Sequence, residues 1–243
     1  MGMHQPDWPI PSHVKALYTT RLGGVSGSPF DSFNLAEHVG DNLDRVLRNR
    51  EILLSLGLPS APCWLQQTHS TTAVTLELEQ NRAADAAITR QAETVAVVMT
   101  ADCLPILFCN RSGTEVAAVH AGWRGLLDGI VQTTITKMQS PTSELMAWIG
   151  PAISQSKFEV GDEVRQAFVE KQALADKRFI SNRAAHWLCD LPALADDLLK
   201  SLDVTDVTRS NLCSYSNEAD FFSYRRQAVT GRMASLIWIP STA

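Results

Sequence analysis

Short runs that are apolar at nearly every position alternate along the chain with polar stretches punctuated by glycine, threonine and histidine. Residues 95–99, 104–109, 116–119 and 145–149 lack a two-residue alternation, which predicts strands covered on both faces. Strands are also expected at 14–19, 63–67, 73–78 and 234–239, with Thr68-His69-Ser70 as a break between two of them. Helical spacing runs from Asp41, a predicted N-cap, to Leu56, with Val46, Leu47, Ile52 and Leu53 along it and Gly57 and Pro59 after it. Further helices are predicted over 126–138, 163–171 and 191–202, the last with Pro192 in its first turn. Residues 79–93 read as a polar, alanine-rich connection containing Asp85, to which the pattern assigns no role. Residues 1–13, with three prolines, read as an extended N-terminal arm whose His4 and His13 lie on the surface. Strands interleaved with helices, and no repeat or linker, predict one α/β domain over 1–243.

Composition narrows the function classes. The chain has 243 residues, is 45% hydrophobic and 19% charged, and carries a formal net charge of -5, so no basic stripe invites nucleic acid. No apolar run reaches the ~20 residues of a membrane helix and the N-terminus has no apolar signal core, so a cytoplasmic protein without membrane contact is expected. The five cysteines (Cys63, Cys103, Cys109, Cys189 and Cys213) are odd in number and scattered, with no C-x-x-C. This argues against a disulfide framework and leaves any special thiol as a ligand or nucleophile.

The chemistry concentrates where apolar runs end. Thr100-Ala101-Asp102-Cys103 separates two of them, and His120 closes a third ahead of Ala121-Gly122-Trp123-Arg124-Gly125. Polar groups at the ends of buried strands cost free energy unless paired or used. His69, Cys103 and His120 all stand at such ends. Two imidazoles and a thiolate suit zinc with one position left open, and copper is the alternative metal. The same residues also suit a Cys103 nucleophile with His120 or His69 as its base, and the sequence leaves that choice open. Asp102 is read as orienting a neighbour. A helix starting after His120 would turn its N–H groups to the site and favour an anion there. The glycine-rich stretch 20–26 with Arg21, and the arginines of 221–232, are further places where phosphate or carboxylate could be held.

The segments T-T-R-L-G-G-V-S at 19–26, Q-Q-T-H at 66–69, T-A-D-C-L-P at 100–105, H-A-G-W-R-G at 120–125, and F-F-S-Y-R-R with T-G-R resemble the YfiH family nearly end to end. This family is also called the laccase-domain or polyphenol oxidase-like family. The resemblance implies a four-layer α/β/β/α sandwich with mixed sheets, and zinc held by His69, Cys103 and His120, which also serve as the catalytic residues. It implies phosphorolysis of adenosine, inosine, guanosine and methylthioadenosine with adenosine deamination, so nucleoside and phosphate are the expected partners of a monomer or weak homo-oligomer. A further label within the family, peptidoglycan editing factor, implies instead an amidase that removes L-serine from a UDP-muramyl precursor. Against the implied chemistry, Arg50, Arg124 and Arg225 are the candidates for holding phosphate at the sugar C1′. The H-x-E and P-C-x-x-C signature of other zinc deaminases is absent. Polyphenol oxidase chemistry carries less weight, because a multi-copper cluster consumes many imidazoles and the chain has six histidines, two of them in the arm. Copper at a two-histidine, one-cysteine site would then be adventitious.

Overall fold

The computed structural model describes residues 2–241; Met1, Thr242 and Ala243, at the ends of the expected 1–243 span, lie outside the described residues. In chain order the elements are β1 (Met3–His4), β2 (Lys15–Thr19), α1 (Leu43–Ser55), β3 (Ala73–Thr75), β4 (Ala86–Thr89), β5 (Ala96–Thr100), β6 (Leu104–Asn110) and β7 (Val116–Ala121). They continue as α2 (Trp123–Asp128), α3 (Ile130–Lys137), β8 (Leu145–Ile149), β9 (Glu159–Gly161), α4 (Asp162–Lys171), β10 (Phe179–Arg183), β11 (His186–Cys189), α5 (Leu191–Ser201), β12 (Asp206–Arg209) and β13 (Met233–Trp238).

Three sheets form among the described residues: β12-β8-β6-β7-β4-β3, β1-β2-β13-β5 and the small β10-β11-β9. The six-stranded sheet is mixed, with parallel β12/β8 and β3/β4 pairs and antiparallel pairs elsewhere, whereas the four-stranded sheet is antiparallel throughout. Side-chain alternation sets the layers. Leu104, Ile106 and Phe108 of β6 pack outward on residues of α2, α3, α4 and α5, while Leu107 and Cys109 face Ala96, Val98 and Ile237 of the other large sheet. Val97, Met99 and Leu236 on the far side of that sheet meet Leu53 of α1. The result is the expected α/β/β/α order. It explains the unalternating apolar runs, because β5, β6, β7, β8 and β13 are buried on both faces.

Several local expectations change. The N-terminal arm is extended but tied down: Met3 and His4 pair with β2, Trp8 is buried, and His4 stacks on Tyr18. The α1 cap is Asn42, whose side chain accepts from the Arg45 N–H; Asp41 instead accepts from Ser26 and Asn34. Residues 63–67 form a single bridge, Cys63 to Ala96, because the Gln67 side chain turns to pair with the Met99 backbone. The strand expected over 73–78 stops at Thr75. Within the 79–93 connection lies β4, four fully buried residues whose alanines carry little strand propensity of their own. The helix expected over 126–138 starts earlier, at Trp123, and Gly129 at φ 109° divides it into α2 and α3. β10 and β12 are additional strands, half-exposed or at an edge, where apolar patterning is weak.

Candidate metal centre

The three soft donors meet where the chain leaves one sheet for the other. β5 belongs to the four-stranded sheet and β6 to the six-stranded one, so Ala101-Asp102-Cys103 is an inter-sheet corner. The turn is taken up at Asp102, whose φ is 95°, a conformation that non-glycine residues rarely adopt. The Asp102 carboxylate accepts from Ser214 Oγ at 2.7 Å, Ser223 Oγ at 3.0 Å and the Arg225 N–H at 2.7 Å. These bonds compensate the corner and fasten the 213–226 loop against it.

Cys103 Sγ lies 3.6 Å from His69 Nε2, and one donor atom from each of His69, Cys103 and His120 lies within 4.8 Å of the other two. The two imidazole rings meet nearly edge to face, 4.8 Å apart and inclined by 73°. Gly122 makes the approach possible. A Cβ there would stand 2.6 Å from His69 Cδ2 and 3.1 Å from Cys103 Sγ.

Asp85 organises the two histidines. Fully buried, it accepts from the N–H groups of Thr68, His69 and Ser70 and from Ser70 Oγ. His69 at φ 61° curls its backbone around that carboxylate in an anion-binding nest. The Oδ1 atom also engages His120 Nδ1 at 2.7 Å, which leaves His120 Nε2 as the ring nitrogen available to a ligand. Burial by itself would raise the Asp85 pKa, but the bonds from His120 and Ser70 outweigh it and hold the carboxyl at about 2. Burial likewise opposes the Cys103 thiolate, and His120 and His69 overcome it, so the thiol ionises below its ordinary value. Burial opposes the His120 cation too, and the charges of Cys103 and Asp85 overcome that opposition, shifting its pKa upward.

This donor set fits a zinc-sized ion. It offers two imidazole nitrogens and a thiol that favours its ionised form, one histidine has its second nitrogen fixed by a carboxylate, and a glycine clears the space between them.

The donors open onto a cleft of about 420 Å³, within the size range of small-molecule sites. Met99, Trp123, Phe158 and Tyr224 supply its apolar walls, and His38, Arg124, Arg225 and Arg232 its cationic or titratable ones. Two of the three arginines selected from sequence therefore line the cleft. Arg50 does not: its guanidinium lies 4.1 Å over the Trp64 ring, donates to Leu35 O and pairs with Glu37. The glycine-rich stretch 20–26 is also occupied structurally, since Asn49 bonds to Val25 and Ser26 and Arg21 pairs with Asp31. Asp85, Gly122 and His38 are the site residues sequence reasoning left unassigned, and Arg232 was reached only as one of the arginines of 221–232; the only signal for Asp85 was a lone carboxylate beside an Ala-Ala-Ile-Thr run.

A family model described as multi-copper polyphenol oxidoreductase laccase matches residues 15–240. Relatives from Shigella flexneri and Escherichia coli, both named purine nucleoside phosphorylase YfiH, are each 47% identical over 96% of this chain and 97% of their own. The chain belongs to the YfiH, or laccase-domain, family. A Pseudomonas aeruginosa member, also named a purine nucleoside phosphorylase, is 46% identical with the same coverage. The fold is shared throughout: a Neisseria meningitidis structure superposes with a TM-score of 0.95 at 47% identity, covering 99% of this chain and 100% of its own. A Bacillus licheniformis YfiH structure gives 0.89 at 27% identity, covering 98% and 96%. Among the described residues, no helix is long and apolar enough to cross a membrane.

Proposed function

We propose that this chain is a zinc-dependent purine nucleoside phosphorylase acting on adenosine, inosine, guanosine and methylthioadenosine, with adenosine deamination as a second activity. The observation that carries the reading is the convergence of His69, Cys103 and His120 in the lining of a cleft with both aromatic and cationic walls. The names of the YfiH relatives support it. In phosphorolysis, a phosphate oxygen bonds to the sugar C1′ as the bond from C1′ to the purine nitrogen breaks, giving free base and sugar 1-phosphate. Trp123, Phe158 and Tyr224 offer flat surfaces for a purine and keep water from it. Arg124 and Arg225 present charge at the exposed wall for phosphate. His69, Cys103 and His120 would hold zinc, which when bound supplies Lewis acidity and acidifies water at neutral pH for deamination. Asp85 keeps His120 in the tautomer whose Nε2 faces the donors.

The test is incubation with each nucleoside, with and without phosphate, and chromatographic identification of the products. Phosphate-dependent release of free base, abolished by chelation and restored by zinc, is the expected result; no base release from any of the four nucleosides rejects the reading. A second reading rests on one observation: without metal, Cys103, His120 and Asp85 form a thiol, base and orienting carboxylate, the arrangement of a nucleophilic cysteine. It suits an amidase on a muramyl precursor. That reading requires a metal-free preparation to retain full turnover and Cys103 to carry an acyl adduct detectable by mass spectrometry.

A further inference from the structure

Three arginines line the cleft, and among the described residues none has a carboxylate within ion-pair distance. The one carboxylate in the lining, Asp102, already accepts from Ser214, Ser223 and the Arg225 backbone. The three guanidinium groups are nevertheless not equivalent. Arg124 is exposed and lies 4.3 Å over the Trp123 ring. Arg225 is also exposed, donates Nη1 to Glu159 O at 3.0 Å, and lies 5.3 Å over Phe158.

Arg232 sits deeper. Its Nη1 is braced by the carbonyls of Thr230 at 2.9 Å and Gly231 at 3.0 Å, and its backbone N–H donates to Asn34 Oδ1 at 3.0 Å. Its Nε and Nη2 make no hydrogen bond with the described residues, and the side chain lines the cleft. Gly231 is what lets this strap lie so close, since a Cβ there would stand 2.7 Å from the Phe222 ring and 2.9 Å from Asn34 Cβ. Asn34 also donates to Ala36 O and Asp41, which fixes the turn Glu37–Val39 and brings His38 into the same lining. Partial burial, then the charges of Arg232 and Arg50, hold His38 below its ordinary pKa, so it meets the cleft as a neutral hydrogen-bonding group near neutrality. Burial opposes the Arg232 charge and the charges of Cys103 and Asp102 support it from beyond ion-pair distance, while a rigid guanidinium with two free donors matches two oxygens of a tetrahedral anion.

We propose that Arg232, with His38 beside it, is the phosphate subsite of the cleft. The identity of the anion rests on the phosphorylase reading; the site itself rests on the unpartnered Arg232 fork. Arg124 and Arg225 then act at the mouth, where they attract anions without fixing them.

The experiment is titration of the zinc-loaded protein with inorganic phosphate by calorimetry, beside phosphorolysis kinetics on the same samples. Arg232→Gln is expected to weaken phosphate binding at least 20-fold and raise the KM for phosphate similarly, with the KM for nucleoside changed less than threefold. Arg232→Lys keeps the charge without the fork and should recover part of the loss, and His38→Gln should cost three- to fivefold. Arg48→Gln, on the exposed side of α1 outside the cleft, should change binding less than threefold. Unchanged thermal midpoints check that the variants fold. Phosphate binding as tight in both Arg232 variants as in the parent overturns the subsite, as does binding that disappears on chelation but ignores Arg232. Failure of the parent to bind phosphate at all also overturns it. A parent that binds phosphate through Arg232 yet releases no base from any nucleoside overturns the phosphorylase reading and leaves the subsite standing.

Discussion

Asp85 and Glu115 stand at opposite ends of the β4/β7 pair and are built the same way. Each is a buried carboxylate just before a strand. Asp85 gathers N–H groups from residues 68–70 and the Ser70 hydroxyl; Glu115 gathers the N–H groups of Gln139 and Ser140 and the Ser140 hydroxyl. Both pKa values fall despite burial, because those donors favour the ionised form. The difference lies in the cationic partner. Glu115 closes on Arg90 at 2.7 Å, a permanent charge that Glu77 also pairs and that lines no part of the cleft. Asp85 closes on His120, whose second ring nitrogen remains free to face Cys103, His69 and the cleft. One device thus fastens two strands at one end and aims an imidazole at the candidate metal centre at the other. The partner that each carboxylate orients makes the difference.

The comparison can be broken from either side. The largest effect should come from the donor set of the candidate metal centre itself. Cys103→Ala and Cys103→Ser should both lose bound zinc by elemental analysis and about 10³-fold or more in kcat/KM. Retention of activity in Cys103→Ser without metal would point to an oxygen nucleophile instead.

Next comes the exchange of the two carboxylates. Glu115→Gln leaves Arg90 with Glu77 at 3.7 Å but weakens the bonds from Gln139 and Ser140, and should cost about 2 kcal/mol, lowering the thermal midpoint by roughly 6 °C with zinc affinity unchanged. Asp85→Asn should instead weaken zinc about 10- to 100-fold, measured by competition with a chelating dye. If both variants lose stability alone, Asp85 is only a fastener.

Acid sharpens the same point. The Asp85 pKa is about 2 when folded against an ordinary 3.8, so its stabilisation is complete above the ordinary value and disappears as pH falls through about 2. Urea unfolding of the metal-free protein should show about 2 kcal/mol of stability lost over that window, a slope that Asp85→Asn flattens.

Smaller again is Gly122→Ala. Its φ of -64° accommodates alanine, so stability should hold while the added methyl pushes His69 from Cys103 and weakens zinc about 10-fold. The smallest is Arg50→Ala, which removes a guanidinium from Trp64 and Glu37. It should cost about 1 kcal/mol in urea unfolding and change the KM for phosphate less than twofold.

The chain by itself determined a great deal. Runs apolar at every position already specified strands covered on both faces in one α/β unit, but the four-layer order came from the resemblance to the YfiH family, because helices on both sides of a single sheet would dry such strands equally well. His69, Cys103 and His120 were legible as candidates because all three stand where apolar runs end and within the motifs that carry the resemblance. Arg124 and Arg225 followed from their neighbourhood in the motifs. Tertiary structure decided the rest. β4 escaped notice because alanine has little strand propensity, and its partners are set by pairing far away in sequence. Asp85 gained its role from three N–H groups that close around it only when residues 68–70 curl back. Arg50 and Arg232 both read in sequence as places for an anion, yet packing sends one onto Trp64 and Glu37 and leaves the other lining the cleft with no carboxylate in ion-pair distance. Burial and partner are pairwise properties of the folded chain, and for a charged side chain those two quantities separate a structural residue from a functional one.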